Sequence, residues 1–111
     1  MQMNEYQNLA KRTINKALTA AQMEMHALHG MSGEIGEIHS LYQKQYQGHQ
    51  LLDAQHLQKE LGDLLWFIAE FCTSAGWTLD EIAEMNIAKL KARYPEGFEE
   101  TKSLHRKEGD I

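Results

Sequence analysis

Apolar residues recur at helical spacing along most of the chain, and the β-branched and aromatic runs broken by turn clusters that strands require are missing. Tyr6, Leu9, Ala10, Thr13, Ile14 and Ala17 follow an i, i+3, i+4 rhythm that predicts a first helix from about Asn4 to Leu18, with Asn4 as its N-cap. Thr19 to Met25 is helix-compatible but shifts the stripe, so it reads as an irregular connection. A second helix is expected from His26 to Tyr46, with Leu28, Met31, Ile35, Ile38 and Tyr42 on one face, ending before Gly48. The third is expected from Asp53, a capping residue, to Ser74, with Gly76 taking the left-handed position after the last turn. The fourth opens at Thr78 with Glu81 three residues on, a capping box, and stops at Tyr94 because Pro95 and Gly97 cannot continue it. Beyond it, only Phe98, Leu104 and Ile111 offer much apolar surface. The expected fold is therefore all-α, a four-helix bundle-like single domain over residues 1–97 followed by a polar C-terminal tail at 98–111.

Composition narrows this further. Thirteen Leu and eleven Ala against no Val and one Pro is the usage of straight-chain helix formers, which disfavours sandwiches and doubly wound sheets. A length of 111 residues suits one domain with a thin core. With no disulfide framework to supplement that core, an oligomer is expected. The net charge of −5 gives no electrostatic footprint for nucleic acid or an anionic membrane. The apolar run Leu64 to Ala69 is far short of the roughly 20 residues that span a bilayer. A lone cysteine, Cys72, and an N-terminal stretch without a basic-then-apolar pattern lead to the expectation of a cytoplasmic protein.

The informative chemistry is a pair of spacings, Glu34-x-x-Glu37 and Glu60-x-x-Asp63. Residues three apart share a helix face, so each pair sets two like charges side by side. At about 100° per residue, Glu34 and Glu60 fall within the apolar arcs of their helices, and Glu37 and Asp63 border them. A carboxylate in an apolar arc must protonate or meet a cation. By contrast, Glu5, Glu70, Glu81 and Glu84 read as ordinary solvated charges. Four carboxylates with no Cys, and no His three residues on from either pair, suit a hard oxygen-seeking cation, Mg²⁺ with Mn²⁺ as substitute. Mg²⁺ keeps waters and is commonly completed by substrate phosphates, which points to phosphate chemistry. Gly30, Gly33, Gly36 and Gly62 each cost about 1 kcal/mol inside a helix, which close helix approach or room for a ligand would justify.

Two rival readings use the same residues. A carboxylate-bridged di-iron bundle needs Glu-x-x-His motifs, and Asp53-Ala-Gln-His56 is the one Asp/Glu-x-x-His here, set at a helix start. A non-catalytic nucleotide- or metal-binding helical module would hold a cation without turnover. The histidines at 26, 29, 39, 49, 56 and 105 show no zinc spacing and read as surface residues.

Through LHGMSGEIGEIHSLYQK, KELGDLLWFIAEF and NIAKLKARYPEGF, the chain resembles the MazG-like nucleoside triphosphate pyrophosphohydrolases, an all-α family marked by ExxE on one helix and ExxD on the next. The resemblance covers about Leu28 to Phe98 and implies Mg²⁺-dependent cleavage of a nucleoside triphosphate between its α- and β-phosphates, in the manner of nucleotide-pool housecleaning. It implies that Glu34, Glu37, Glu60 and Asp63 are metal ligands and catalytic residues, one glutamate orienting or deprotonating the attacking water. Asn86, Lys89 and Arg93 match the family's N-x-x-K-x-x-x-R stretch and would meet the phosphates or the sugar. Trp66 would flank the base, while Phe67 belongs to the core. The phosphoribosyl-ATP pyrophosphatase branch usually carries a His soon after ExxD, where this chain reads LLWFIAEF. The family also implies a compact single-domain protein that forms a homodimer or dimer of dimers.

Overall fold

In the computed structural model, which describes residues 1–48 and 51–111, the chain folds as α1 (Met3–Lys11), α2 (Ala20–Gln43), α3 (Ala54–Ala75), α4 (Leu79–Arg93) and α5 (Glu100–Leu104). A 3-10 turn, Lys44–Gln47, follows α2. Among the described residues there are no strands, and the all-α expectation holds. Among the described residues no helix is long and apolar enough to cross a membrane. His49, expected at the surface, lies outside the described residues.

Local chemistry sets the boundaries, and two differ from the sequence reading. α1 ends at Lys11 rather than Leu18, because the Thr13 hydroxyl donates to the Ala10 carbonyl at 2.7 Å and Asn15 Oδ1 accepts from the Ala17 N–H at 3.0 Å. Such side-chain bonds offer the backbone an alternative to the helix. α2 begins six residues earlier than expected, at Ala20, because Thr19 and Gln22 form a capping box: Thr19 Oγ1 accepts from the Gln22 N–H at 3.2 Å, and Gln22 Oε1 from the Thr19 N–H at 3.0 Å. At the other end, the helix tightens into the 3-10 turn from Lys44 and closes at Gly48, φ 95°. The remaining caps fall where expected, at Asp53, Gly76 (φ 74°) and Thr78. Asn4 caps nothing on α1, which starts after Gln2; its side chain accepts instead from the Asp80 N–H at 3.1 Å.

The α2 and α3 helices pack along their lengths as an antiparallel hairpin, and α1 lies across α3. α4 packs on α1 rather than along α2 or α3, so the four long elements do not close into a bundle within one chain. The radius of gyration is 17.5 Å, against about 13 Å for a compact chain of this length. Buried Gln7 holds the joint: its Oε1 accepts from the Leu79 N–H at 2.7 Å and its Nε2 donates to the Trp77 carbonyl at 2.9 Å. Ala10, Ala69, Cys72 and Leu79 pack around it. Much of the predicted apolar stripe stays uncovered, with Leu28, Ile35 and Tyr42 on α2 each about half exposed and Met85 on α4 69% exposed. Of the four helix glycines, Gly30 alone answers the expectation of close approach, since a Cβ there would collide with the Phe67 ring. Gly33, Gly36 and Gly62 face open space.

Candidate metal centre and the groups around it

The α2–α3 hairpin brings three of the four predicted carboxylates together. Glu34 from α2 and Glu60 and Asp63 from α3 each offer an oxygen within 4.8 Å of the others. Glu37, exposed and one turn beyond Glu34, stays outside this group. Glu34 and Glu60 are partly buried, and Asp63 is exposed at the mouth.

Glu34 Oε2 is buried and meets no donor. Such an atom asks for a proton or a cation. Without an ion, the proton it shares with Glu60, then burial, then the charges of Glu60, Asp63 and Glu37 push Glu34 up from the ordinary 4.5 to about 7. Glu60 moves the other way, held down by the hydrogen bond from Glu34 and by His56. The His56 Nε2–H donates to Glu60 Oε1 at 2.9 Å, fixing that carboxylate. The orphaned oxygen and the hard-donor set both fit a divalent cation.

His56 is thus a neighbour of the cluster rather than an unattached surface residue. The Asp53-Ala-Gln-His56 spacing did signal it: one turn carries His56 from the cap to Glu60 at i+4.

Further along the same seam is a feature the sequence reading placed in solvent. Glu70 is fully buried, and both its oxygens accept from His26 Nδ1, at 2.8 and 2.9 Å. The signal was available, since Glu70 follows Asp63 by seven residues and so borders the apolar arc on the same side. The His26 ring rests against Phe67 (5.8 Å between centroids) and edge-on to Trp66 (6.5 Å). Trp66 is pinned as well, its Nε1–H donating to Thr13 Oγ1 at 2.8 Å.

The polar residues of the fourth helix are not brought to the carboxylates within one chain. Asn86 and Lys89 are exposed on α4. Arg93 turns to the tail, donating through Nε and Nη2 to both oxygens of Asp110 at 2.7 and 2.8 Å. Phe98, Leu104 and Ile111, the residues of the tail with much apolar surface, are each more than 70% exposed, and the Arg93–Asp110 ion pair ties the tail to α4.

An all-α hairpin that clusters carboxylates from ExxE and ExxD around a buried, unmet oxygen defines a class of helical proteins built to hold a divalent cation. The family profile described as the MazG nucleotide pyrophosphohydrolase domain matches residues 22–98, and the chain belongs to this family. No curated protein and no solved structure matches it.

Proposed function

We propose that the chain is a nucleoside triphosphate pyrophosphohydrolase that cleaves ribo- or deoxyribonucleoside triphosphates between the α- and β-phosphates, giving a monophosphate and pyrophosphate. The observation that carries this is the unmet Glu34 oxygen among Glu60 and Asp63, on a chain of the MazG family. Glu34, Glu60 and Asp63 would hold Mg²⁺, or Mn²⁺ in its place, with Glu37 at the edge of the set. The bound ion supplies charge neutralisation for the triphosphate and acidifies water. The protein's part is to hold these carboxylates in place: His56 orients Glu60, and the hairpin fixes Glu34 opposite it. Glu37, outside the clustered trio, accepts the proton of the water that attacks the α-phosphorus, and the pyrophosphate oxygen leaves as that bond breaks.

Asn86, Lys89 and Arg93 bind the substrate's phosphates or sugar, and Trp66 flanks the base. Because α4 stands away from the carboxylates of its own chain, these groups reach the site from a second copy, in a homodimer or dimer of dimers. The half-exposed apolar stripe on α2 is the surface such a copy would cover. Residues 1–97 form the catalytic domain, and the setting is cytoplasmic, with neither nucleic acid nor membrane as partner.

The separation of α4 from the carboxylates also favours a second reading, a module that binds nucleotide and metal without turnover. Incubation of a panel of canonical and modified triphosphates with Mg²⁺, resolving monophosphate plus pyrophosphate from diphosphate plus phosphate, separates the two. The first product pair, lost in Glu60→Gln, supports hydrolysis. Metal binding without product from any triphosphate establishes the module.

A further inference from the structure

The chain as a whole is acidic, yet one cavity of about 480 Å³ is basic. It lies between the end of α4 and the tail, and Lys89, Arg93, Lys102, Arg106 and Lys107 line it against two acids, Glu108 and Asp110. Among the described residues, Lys89, Arg106 and Lys107 have no acid within ion-pair distance. Arg93 and Asp110 are the most enclosed of the charged groups lining this cavity, their side chains 10% and 16% exposed.

The Asp110 carboxylate meets Arg93 in the two-pronged geometry that a guanidinium also offers to two phosphate oxygens. Its carboxyl is held below the ordinary range, first by that hydrogen bond and then by the charges of Arg93, Arg106 and Lys89. A carboxylate from the protein's own tail is therefore bound to the guanidinium that lines a largely cationic cavity. Stapling the tail accounts for one cation, whereas Lys89, Arg106 and Lys107 form no ion pair among the described residues.

We propose that Asp110 is a built-in competitor at the phosphate contacts assigned above to Lys89 and Arg93: its carboxylate takes the place of phosphate oxygens, of free pyrophosphate or of a nucleotide, when the anion is absent. This inference rests on that assignment of Lys89 and Arg93 to phosphate. Anion entry displaces the Asp110 carboxylate from Arg93 and frees the tail, so anion binding is reported by the order of α5.

The test is calorimetric titration of the full chain with inorganic pyrophosphate in the absence of divalent metal, where the carboxylate cluster repels the anion. Asp110→Asn removes the competing charge and should tighten pyrophosphate binding by roughly threefold to tenfold, and Arg93→Gln should abolish it. Amide exchange at Thr101 to Leu104 should quicken when pyrophosphate is added to the wild type. Equal or weaker binding in Asp110→Asn overturns the proposal, whether or not the tail stays docked, because removing a mere staple can only loosen the cavity. Binding that survives Arg93→Gln overturns it too. A parallel titration with a nucleoside monophosphate and a non-hydrolysable triphosphate distinguishes the sources: competition by either identifies nucleotide, and its absence leaves free pyrophosphate as the occupant. Since no turnover is measured, a failed hydrolysis assay and a failed anion titration remain distinguishable.

Discussion

The α2–α3 seam and the α4–tail arm carry opposite charge and are built on opposite principles. In the seam, carboxylates are crowded by helix packing: Glu34, Glu60 and Asp63 converge, and Glu70 is buried two turns further along. In the arm, cations line an open cavity and a single acid from the tail holds the end of the chain. Crowded like charges are stable only with a proton, a histidine or a metal among them, and each of the first two is present. The seam is therefore poised to bind a cation and the arm to bind an anion, and a metal-bound triphosphate would complete both.

The largest expected effect breaks that pairing directly. Glu60→Gln removes one carboxylate charge while leaving His56 an amide oxygen to bond, and should cost turnover on the order of a hundredfold or more, as steady-state pyrophosphate release would show. Arg93→Gln should also be impaired, for the other half of the reaction. If the arm of one copy serves the seam of its partner, mixing the two inactive variants restores one good site in each mixed dimer, or roughly a quarter of wild-type activity at random assortment. No recovery on mixing, after subunit exchange is verified, would mean that each chain completes its own site.

Next in size is the buried pair of the seam. His26→Ala leaves the Glu70 carboxylate enclosed with no partner, which should destabilise the protein by about 2–4 kcal/mol in urea unfolding at fixed protein concentration. A loss under about 0.5 kcal/mol would show that water reaches Glu70 and that the seam is less dry than the packing indicates.

These two regions also differ in how far they could be read from sequence. The helical periods, the Asp53 and Thr78 caps and the pairing of Glu34 with Glu37 and of Glu60 with Asp63 on one helix face depend on neighbours a turn apart, and one-dimensional spacing carries that information; bringing Glu34 to Glu60 and Asp63 took the packing of α2 on α3. The Glu70–His26 bond joins residues 44 apart, and Gln7 reaches Trp77 and Leu79 across 70 and 72. Such bonds exist only once the helices are placed, so the helical wheel left Glu70 at an edge without saying what faces it. The arm was least readable, because the uncovered faces of α2 and α4 make apolar periodicity look like a closed bundle when the chain alone is open.

A smaller effect sharpens the chemistry of the seam. Glu34 sits above the ordinary carboxylate value, so its proton is held more tightly in the folded state; that contribution is full below pH about 4.5 and lost as pH rises through about 7. Glu60, held down, contributes in the opposite sense, present above the ordinary value and lost as pH falls. A cation arriving at pH 6.5 must displace the shared proton. Calorimetry of Mg²⁺ binding in buffers of different ionisation enthalpy should therefore show proton release that fades by pH 8.5, and binding should weaken as pH falls. Binding with no proton release at pH 6.5 would place the cation elsewhere.

The smallest effects come from two glycines one turn apart on α2. At Gly30, an added methyl meets the Phe67 ring, and Phe67 cannot retreat without disturbing His26 and Trp66, which rest on it. Gly30→Ala should therefore cost about 1–3 kcal/mol, as overpacking does. At Gly33 the added methyl meets nothing within 4 Å, and alanine removes backbone freedom from the unfolded chain. Gly33→Ala should stabilise the single chain by about 0.5–1 kcal/mol. That gain has a condition attached: Gly33 precedes Glu34, and the open space over it is where a substrate or a second copy would approach. If thermal unfolding shows the gain while turnover falls, the space at Gly33 is used by a ligand or partner. If stability and turnover both rise, the approach to the seam lies on another face, and the arm must reach Glu34 and Glu60 from the side of Asp63.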